Sequence, residues 1–427
     1  MSFINAETIY IKRFVHNSSM NAQLNLKQSL QTNNDDLHQQ FIDGVDIVDI
    51  LKSRSRFIDS LLQDMWQKHQ LDKLTPLTLI AVGGYGREEM HPASDVDLLV
   101  LLEHEPDEKT EVIVSNFVTE LWDLGLEIGH SVRTLDECIE EATADLTVIT
   151  NLIESRFLCG EISLFERLQS QISPENIWSS KAFFLAKISE QEGRYSRFGD
   201  TAYRVEPNLK EGPGGLRDIQ TIGWITKRHF GLQSIADLTR FSILTDEEHQ
   251  VLVQGETLLW RLRYGLQLIA DRNENRLLFD HQRALAQMLG YKDEGKRLDV
   301  ELMMQSYYRA VLALAELADV ILQFYDEAIL GTGTKDNIQP INKRFQIRNS
   351  YIEAVNNQVF AYSPYAIMEI FVLMAQHPEI KGIRATTIRS LRAHRHLIDD
   401  AFRADLAVTS LFMELLRTPH ALDQTLS

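Results

Sequence analysis

The pattern of apolar and polar positions changes character twice along the chain. Residues 1–38 are polar and amide-rich, with Gln23, Gln28, Gln31, Asn33 and Asn34 among them, and the pattern assigns them no packed element. Over residues 41–66, apolar side chains at Val45, Val48, Leu51, Ile58, Leu61, Leu62 and Met65 recur at helical spacing and predict one amphipathic helix. Leu77, Leu79, Ile80, Ala81 and Val82 then form a short apolar run that stops at Gly83-Gly84, as a buried strand does on entering a tight turn. Val96 and Leu98 to Leu102 predict a second buried strand. A helix over 107–125, with Val112, Phe117, Leu121 and Trp122 on its apolar face, leads to a third strand over 126–133. Beyond about residue 160 the period is helical almost throughout, with stripes over 183–197, 216–230, 245–270 and 299–330 that read as bundle core. Residues 331–339 read as a loop, and 345–360 as a short strand or two before the last helices.

The resulting expectation is an α+β chain. A polar terminus (1–38) precedes an α/β unit with its leading helix (39–160), a helical unit (161–335) and a mainly helical C-terminal segment (336–427). At 427 residues, two or three compact units are expected.

Composition narrows the class. With 61 acidic against 43 basic residues the formal charge is −18, which argues against a nucleic-acid surface, since that needs a basic stripe. The two cysteines, Cys138 and Cys159, are too few for a disulfide framework and lack metal-ligand spacing, so free thiols in a reducing cytoplasm are expected. No apolar run is long enough to cross a bilayer, and residues 1–17 lack the apolar core of a leader. The expectation is a cytoplasmic enzyme with neither membrane nor nucleic-acid partner.

The chemistry concentrates in Gly83-Gly84-Tyr85-Gly86-Arg87 and Ser94-Asp95-Val96-Asp97-Leu98-Leu99-Val100. Side chains on a strand alternate faces, so Asp95 and Asp97 share one, about 7 Å apart along the chain. At an effective dielectric of about 20 such a pair repels by roughly 2 kcal/mol before desolvation, and divalent cations reverse that sign. Without a Cβ, the backbone at Gly83, Gly84 and Gly86 can approach a triphosphate and aim N–H groups at it, while Arg87 can add positive charge. No Gly-Lys-Ser/Thr follows, which excludes a Walker loop, and the glycines are not spaced as a dinucleotide fingerprint. In Leu126-Glu127-Ile128, Glu127 sits between apolar residues, as a carboxylate projecting into a site would; Asp136 is the alternative. His130 and Arg133 lie on the same segment, His130 reading equally as a packing residue and a substrate contact.

A second segment, E-P-N-L-K-E-G-P-G-G-L-R-D-I-Q over 206–220, is dense in glycine, proline and charge. A glycine loop that opens a helix offers an anion free N–H groups and the positive dipole end, and Lys210 and Arg217 flank this one.

The Gly-Gly turn followed by Asp-x-Asp resembles the polymerase-β-like nucleotidyltransferase superfamily, which implies nucleotidyl transfer from a nucleoside triphosphate with two metal ions. Together with G-G-Y-G-R…S-D-V-D-L-L-V, E-I-G-H-S-V-R-T over 127–134 and the 206–220 loop, it resembles the PII uridylyltransferase family. That resemblance implies a polymerase-β-like domain, a small mixed sheet with helices, followed by a mainly helical bundle. It implies two Mg²⁺ on Asp95, Asp97 and Glu127, and UTP held by Gly83, Gly84, Gly86, Arg87, Ser94, Lys210 and Arg217. The reaction it implies is transfer of UMP to a tyrosine hydroxyl of the PII signal protein, with the helical part presenting that protein and the 206–217 loop closing over the nucleotide. Family members continue into a metal-dependent phosphohydrolase domain and two ligand-sensing domains. No His-Asp pair of the hydrolase kind occurs in the last hundred residues, so the transferring half alone is expected. Glu88 stands where glycine or arginine would be unsurprising, a mild departure.

Overall fold

A computed structural model describes residues 6–74, 76–198, 204–232, 234–241, 243–330 and 337–417. The described residues fall into two compact units, one drawn from 1–237 and 246–315, the other from 238–245 and 316–427.

The first unit opens with helices α1 (Ala6–Ile42) and α2 (Ile47–Lys68). Helix α1 covers most of the stretch to which the polar pattern assigns no element. Its reason is tertiary: Leu30, Leu37 and Phe41 are spaced along one side and buried, and packing an apolar face stabilises a helix more than composition does. The single helix predicted over 41–66 is broken, because Gly44 adopts φ +83° and the Asp46 side chain caps α2 by accepting from the Val48 N–H at 2.8 Å. Val45 lies in the break and is exposed.

A four-stranded mixed sheet follows in the order β3-β2-β1-β4, from β1 (Leu77–Ala81), β2 (Val96–Leu102), β3 (Ile128–Thr134) and β4 (Arg156–Gly160). β1 runs antiparallel to β2 and β4, while β2 and β3 are parallel. The short turn α3 (Gly83–Gly86) joins β1 to the β2 approach, and the crossover α4 (Glu108–Asp123) joins β2 to β3. Leu62, Trp66, Leu79, Val100, Phe117 and Leu121 build the core between sheet, α2 and α4, with Trp66 edge-on to Phe117 at 5.7 Å. Helices α5 (Leu135–Ala144), α6 (Leu146–Ile153) and α7 (Ile162–Gln171) flank β4 in sequence. Beyond them, α8 (Ser180–Phe198), α9 (Leu216–Ile225), α10 (Asp246–Ala270), α11 (Phe279–Met288) and the first half of α12 (Asp299–Leu330) complete the unit.

The second unit takes the rest of α12 and a sheet ordered β5-β6-β7-β8, from β5 (Ile338–Pro340), β6 (Phe345–Arg348), β7 (Tyr351–Ala354) and β8 (Gly382–Ile383). Helices α13 (Val359–Tyr362), α14 (Ala366–Gln376), α15 (Ala385–Ala393), α16 (Asp400–Ala404) and α17 (Leu406–Leu416) surround its Phe345, Ile352, Phe360 and Ile370 core. Of the loop predicted over 331–339, residues 331–336 lie outside the described residues and Ile338 and Gln339 belong to β5.

Candidate active site

The site is built where β1 ends. All five β1 residues are buried, and the pairing with β2 runs through Ala81↔Leu98 to a Val82 N–H donating to the Asp97 carbonyl at 3.0 Å. Gly83 takes φ +58°, which any side chain would strain, and a Cβ there would stand 3.1 Å from Asp97 Oδ2. The Asp97 carboxylate therefore lies against the bend. The N–H groups of Gly83 and Gly84 find no backbone acceptor among the described residues. Gly86 serves packing instead: a Cβ there would meet the Glu154 carbonyl oxygen at 2.2 Å. Beneath the turn, buried Tyr85 donates to Asp59 at 2.5 Å, and Arg156 grips the same carboxylate at 2.7 and 3.0 Å.

The bend opens on a cleft of about 240 Å³. Of the residues singled out in the sequence, Gly83, Gly84, Arg87, Ser94, Asp95, Asp97, Lys210 and Arg217 line it, whereas Gly86 and Glu127 do not. Burial, and next the neighbouring Asp95, push the Asp97 carboxyl above the usual carboxylate range, while Lys210 and Arg87 pull it back. Asp95 is exposed.

Opposite the acids stand cations. Lys210 has its ammonium lowered to about 8 by burial and by the nearby charges of Arg217 and Arg263. Lys187 is buried and lowered for the same first reason, despite Glu190 at 2.7 Å. Lys187 and Arg217 both reach the Trp224 ring, at 4.2 and 5.3 Å from its centroid. Arg87 differs from its expected role. Burial disfavours its charge, yet ion pairs to Glu89 (2.8 Å) and Glu154 outweigh that and raise it, so the guanidinium braces the cleft floor. Glu154 also accepts from the Trp224 indole N–H.

Several of these walls were missed in the sequence: Thr147, Thr150 and Asn151 on α6, Glu154, Lys187, Gln220, Trp224, Arg263 and Asn273. One signal was there. Ile219, Ile222 and Ile225 mark the core stripe of α9, and Arg217, Gln220 and Trp224, at i, i+3 and i+7, occupy the complementary face.

The 206–217 loop corrects the expectation of free N–H groups. Asn208 Oδ1 accepts from the N–H groups of Lys210 and Glu211, both at 2.9 Å, and the carbonyls of Asn208, Gly212, Leu209 and Lys210 accept from Gly212, Gly215, Leu216 and Arg217. Gly214 donates to Asp218 Oδ2 at 2.7 Å, and Arg194 (2.5 Å), Tyr195 (2.6 Å) and Gln191 (3.3 Å) also donate to that buried carboxylate. A Cβ on Gly214, at φ +71°, would fall 2.0 Å from the Val311 carbonyl oxygen. Of this loop, Lys210, Leu216 and Arg217 line the cleft, and its hydrogen-bonded N–H groups are already engaged.

Glu127 immediately precedes β3 and is exposed; its carbonyl accepts from the Val96 N–H at 2.8 Å. Asp97 pairs with Gly129, so the period-2 alternation gives Glu127 the face of Asp97. Asp136 lies in the first turn of α5 and is also exposed. His130 packs edge-on to Trp122 at 5.3 Å, and Arg133 reaches Glu141 at 3.9 Å. Among the described residues no three His, Cys, Asp or Glu side chains stand together as a metal site. The donor set nonetheless fits a divalent cation: two neighbouring carboxylates, one of them raised by burial and repulsion, leave the remaining positions to phosphate oxygens.

Three known families match consecutive parts of the chain: a nucleotidyltransferase domain over residues 58–157, GlnD PII-uridylyltransferase over 182–322, and the third domain of uridylyltransferase GlnD over 345–427. Among similar curated proteins are bifunctional uridylyltransferase/uridylyl-removing enzymes. That of Pseudomonas aeruginosa (strain UCBPP-PA14) is 48% identical over 400 residues, 94% of this chain and 44% of the relative. That of Pseudomonas putida (strain W619) is 47% identical over 391 residues, 92% of this chain and 43% of the relative. The chain thus spans less than half the length of the curated relatives it matches. Over the matched segments it belongs to the GlnD PII-uridylyltransferase family, with a nucleotidyltransferase domain at its head.

Proposed function

We propose that this chain transfers UMP from UTP to a tyrosine hydroxyl of a PII signal protein, releasing pyrophosphate. The observation that carries the reading is the juxtaposition of Asp95 and Asp97 at the glycine bend with Lys187, Lys210 and Arg217 across one cleft. The arrangement suits a triphosphate that arrives with cations. The ammonium and guanidinium groups oppose its phosphates, and the Gly83-Gly84 backbone permits close approach. Asp95 and Asp97, with Glu127 as third carboxylate, would hold two Mg²⁺ ions, which supply charge neutralisation and lower the pKa of the attacking hydroxyl. Trp224, held by the Glu154 carboxylate, packs its ring against both Lys187 and Arg217, which line the same cleft.

The test is incubation of the purified chain with PII, Mg²⁺ and α-labelled UTP, with ATP as the competing donor. Asp97→Asn should abolish transfer while leaving the melting temperature equal or higher, because it removes one partner of a repelling pair. Substantial transfer by that variant would reject the role of Asp97. Preference for ATP would make the activity adenylyl transfer.

A further inference from the structure

Helix α6 is a partition. Thr147, Thr150 and Asn151 line the cationic cleft, while Val148 and Leu152 line a second cavity of about 240 Å³. Helical spacing accounts for the split, since residues three and four apart share a face. The far wall of this cavity is β3, with Gly129 inside it and His130, Ser131 and Arg133 adding polar groups. Among the described residues, Asp97 and Asn151 alone line both cavities. Asp97 faces both at the level of single atoms. Its Oδ2 is 3.1 Å from a Cβ position on Gly83, a cleft residue, and its Oδ1 is 2.4 Å from one on Gly129, a residue of the second cavity.

Transfer to a hydroxyl is an in-line displacement, so the attacking and leaving oxygens lie on opposite sides of the phosphorus. In the first cleft Glu89, Glu154 and Glu190 are engaged by Arg87 and Lys187, and Lys210, Arg217 and Arg263 match the anionic leaving portion of the nucleotide. An acceptor has to reach the shared carboxylate from elsewhere, and the second cavity provides that approach. Its chemistry also matches a phenol: Val82, Val148 and Leu152 offer apolar surface to the ring, and Asn151 and Asp97 offer polar partners to the hydroxyl. The geometry points to this cavity as the acceptor subsite, filled by a tyrosine side chain of the protein substrate; the inference rests on the nucleotidyl-transfer reading above. The phenolic oxygen bonds to the α-phosphorus and its proton passes to solvent. The bond from that phosphorus to the bridging oxygen breaks, and its electron pair leaves with pyrophosphate.

Two variants fill the cavity from opposite walls, Val148→Trp from α6 and Ser131→Phe from β3, so one suffices if the other fails to fold. UTP affinity of each is measured by equilibrium dialysis, and the KM for purified PII by steady-state labelling. The expected result is a UTP Kd within about twofold of the parent chain, with the KM for PII raised at least about tenfold or transfer lost. A parent-like KM for PII in a folded variant overturns the subsite and leaves the transferase reading standing. Loss of UTP binding in both variants also overturns it, because the cavity would then serve the nucleotide. A parent chain that labels no PII overturns both.

Discussion

Replacing Gly129 by alanine adds one methyl group and tests whether Asp97 has any freedom. The new Cβ would stand 2.4 Å from Asp97 Oδ1, against an ordinary contact of 3.4 Å or more, so the carboxylate has to retreat by about 1 Å. On its other side Asp97 faces the Gly83 bend, which carries no side chain to hold the carboxylate in place, so the shift is taken up by Asp97 itself. A displacement of about 1 Å at a reacting group costs on the order of 10²-fold in rate, or roughly 2.7 kcal/mol of barrier. Gly129 is not held at positive φ, so alanine suits its strand and the fold should persist. The control is Gly193→Ala on α8, where the added Cβ meets nothing within 4 Å. It should leave transfer unchanged and stabilise the helix by about 0.5–1 kcal/mol. Initial rates of labelled UMP transfer, with melting curves on the same preparations, decide the matter. A Gly129→Ala chain with parent-like transfer would refute the claim that Asp97 is positioned by the absence of a side chain opposite it.

Two further predictions concern pH. Because burial and neighbouring cations lower Lys210 to about 8, the ammonium proposed to face the triphosphate is lost as pH rises through that value in the free protein. UTP affinity measured by dialysis should weaken between about pH 7 and 9, and Lys210→Met should remove most of that dependence; an identical profile in the variant would refute it. Glu256 is raised to about 8 by burial and by Glu89, against 4.5 for an ordinary glutamate. A folded-state pKa above the unfolded one gives stability that is complete below about pH 4.5 and lost as pH rises through about 8. Glu256→Gln should therefore raise the melting temperature more at pH 8 than at pH 5, and an equal shift at both would reject the assignment.

Much of the nucleotidyltransferase core was legible in the sequence, because it is written in local signals. An apolar run that ends in paired glycines and an Asp-x-Asp before another apolar run fix both the strands and the carboxylates that follow the bend. The cationic wall was legible only in part. Lys210 and Arg217 announced themselves through the glycine loop, but Lys187 and Arg263 sit on helices whose stripes read as core, and only tertiary packing brings them to the cleft. Arg87 lines the cleft, but sequence spacing could not reveal that Glu154, far along the chain, would occupy it. Helix α1 is not legible in the sequence, for the converse reason: Leu30, Leu37 and Phe41 are too sparse to signal amphipathicity, yet each is buried once α2 is beside it.

The Asn208 turn and the Asp218 hub carry a last consequence. A strap whose backbone donors are already matched, by its own acceptors and by the Asp218 carboxylate, has less conformational freedom to surrender when a ligand arrives. Lys210 and Arg217 ride on it as fixed electrodes, so the free energy gained from the incoming anion goes into affinity and not into organising the wall that receives it.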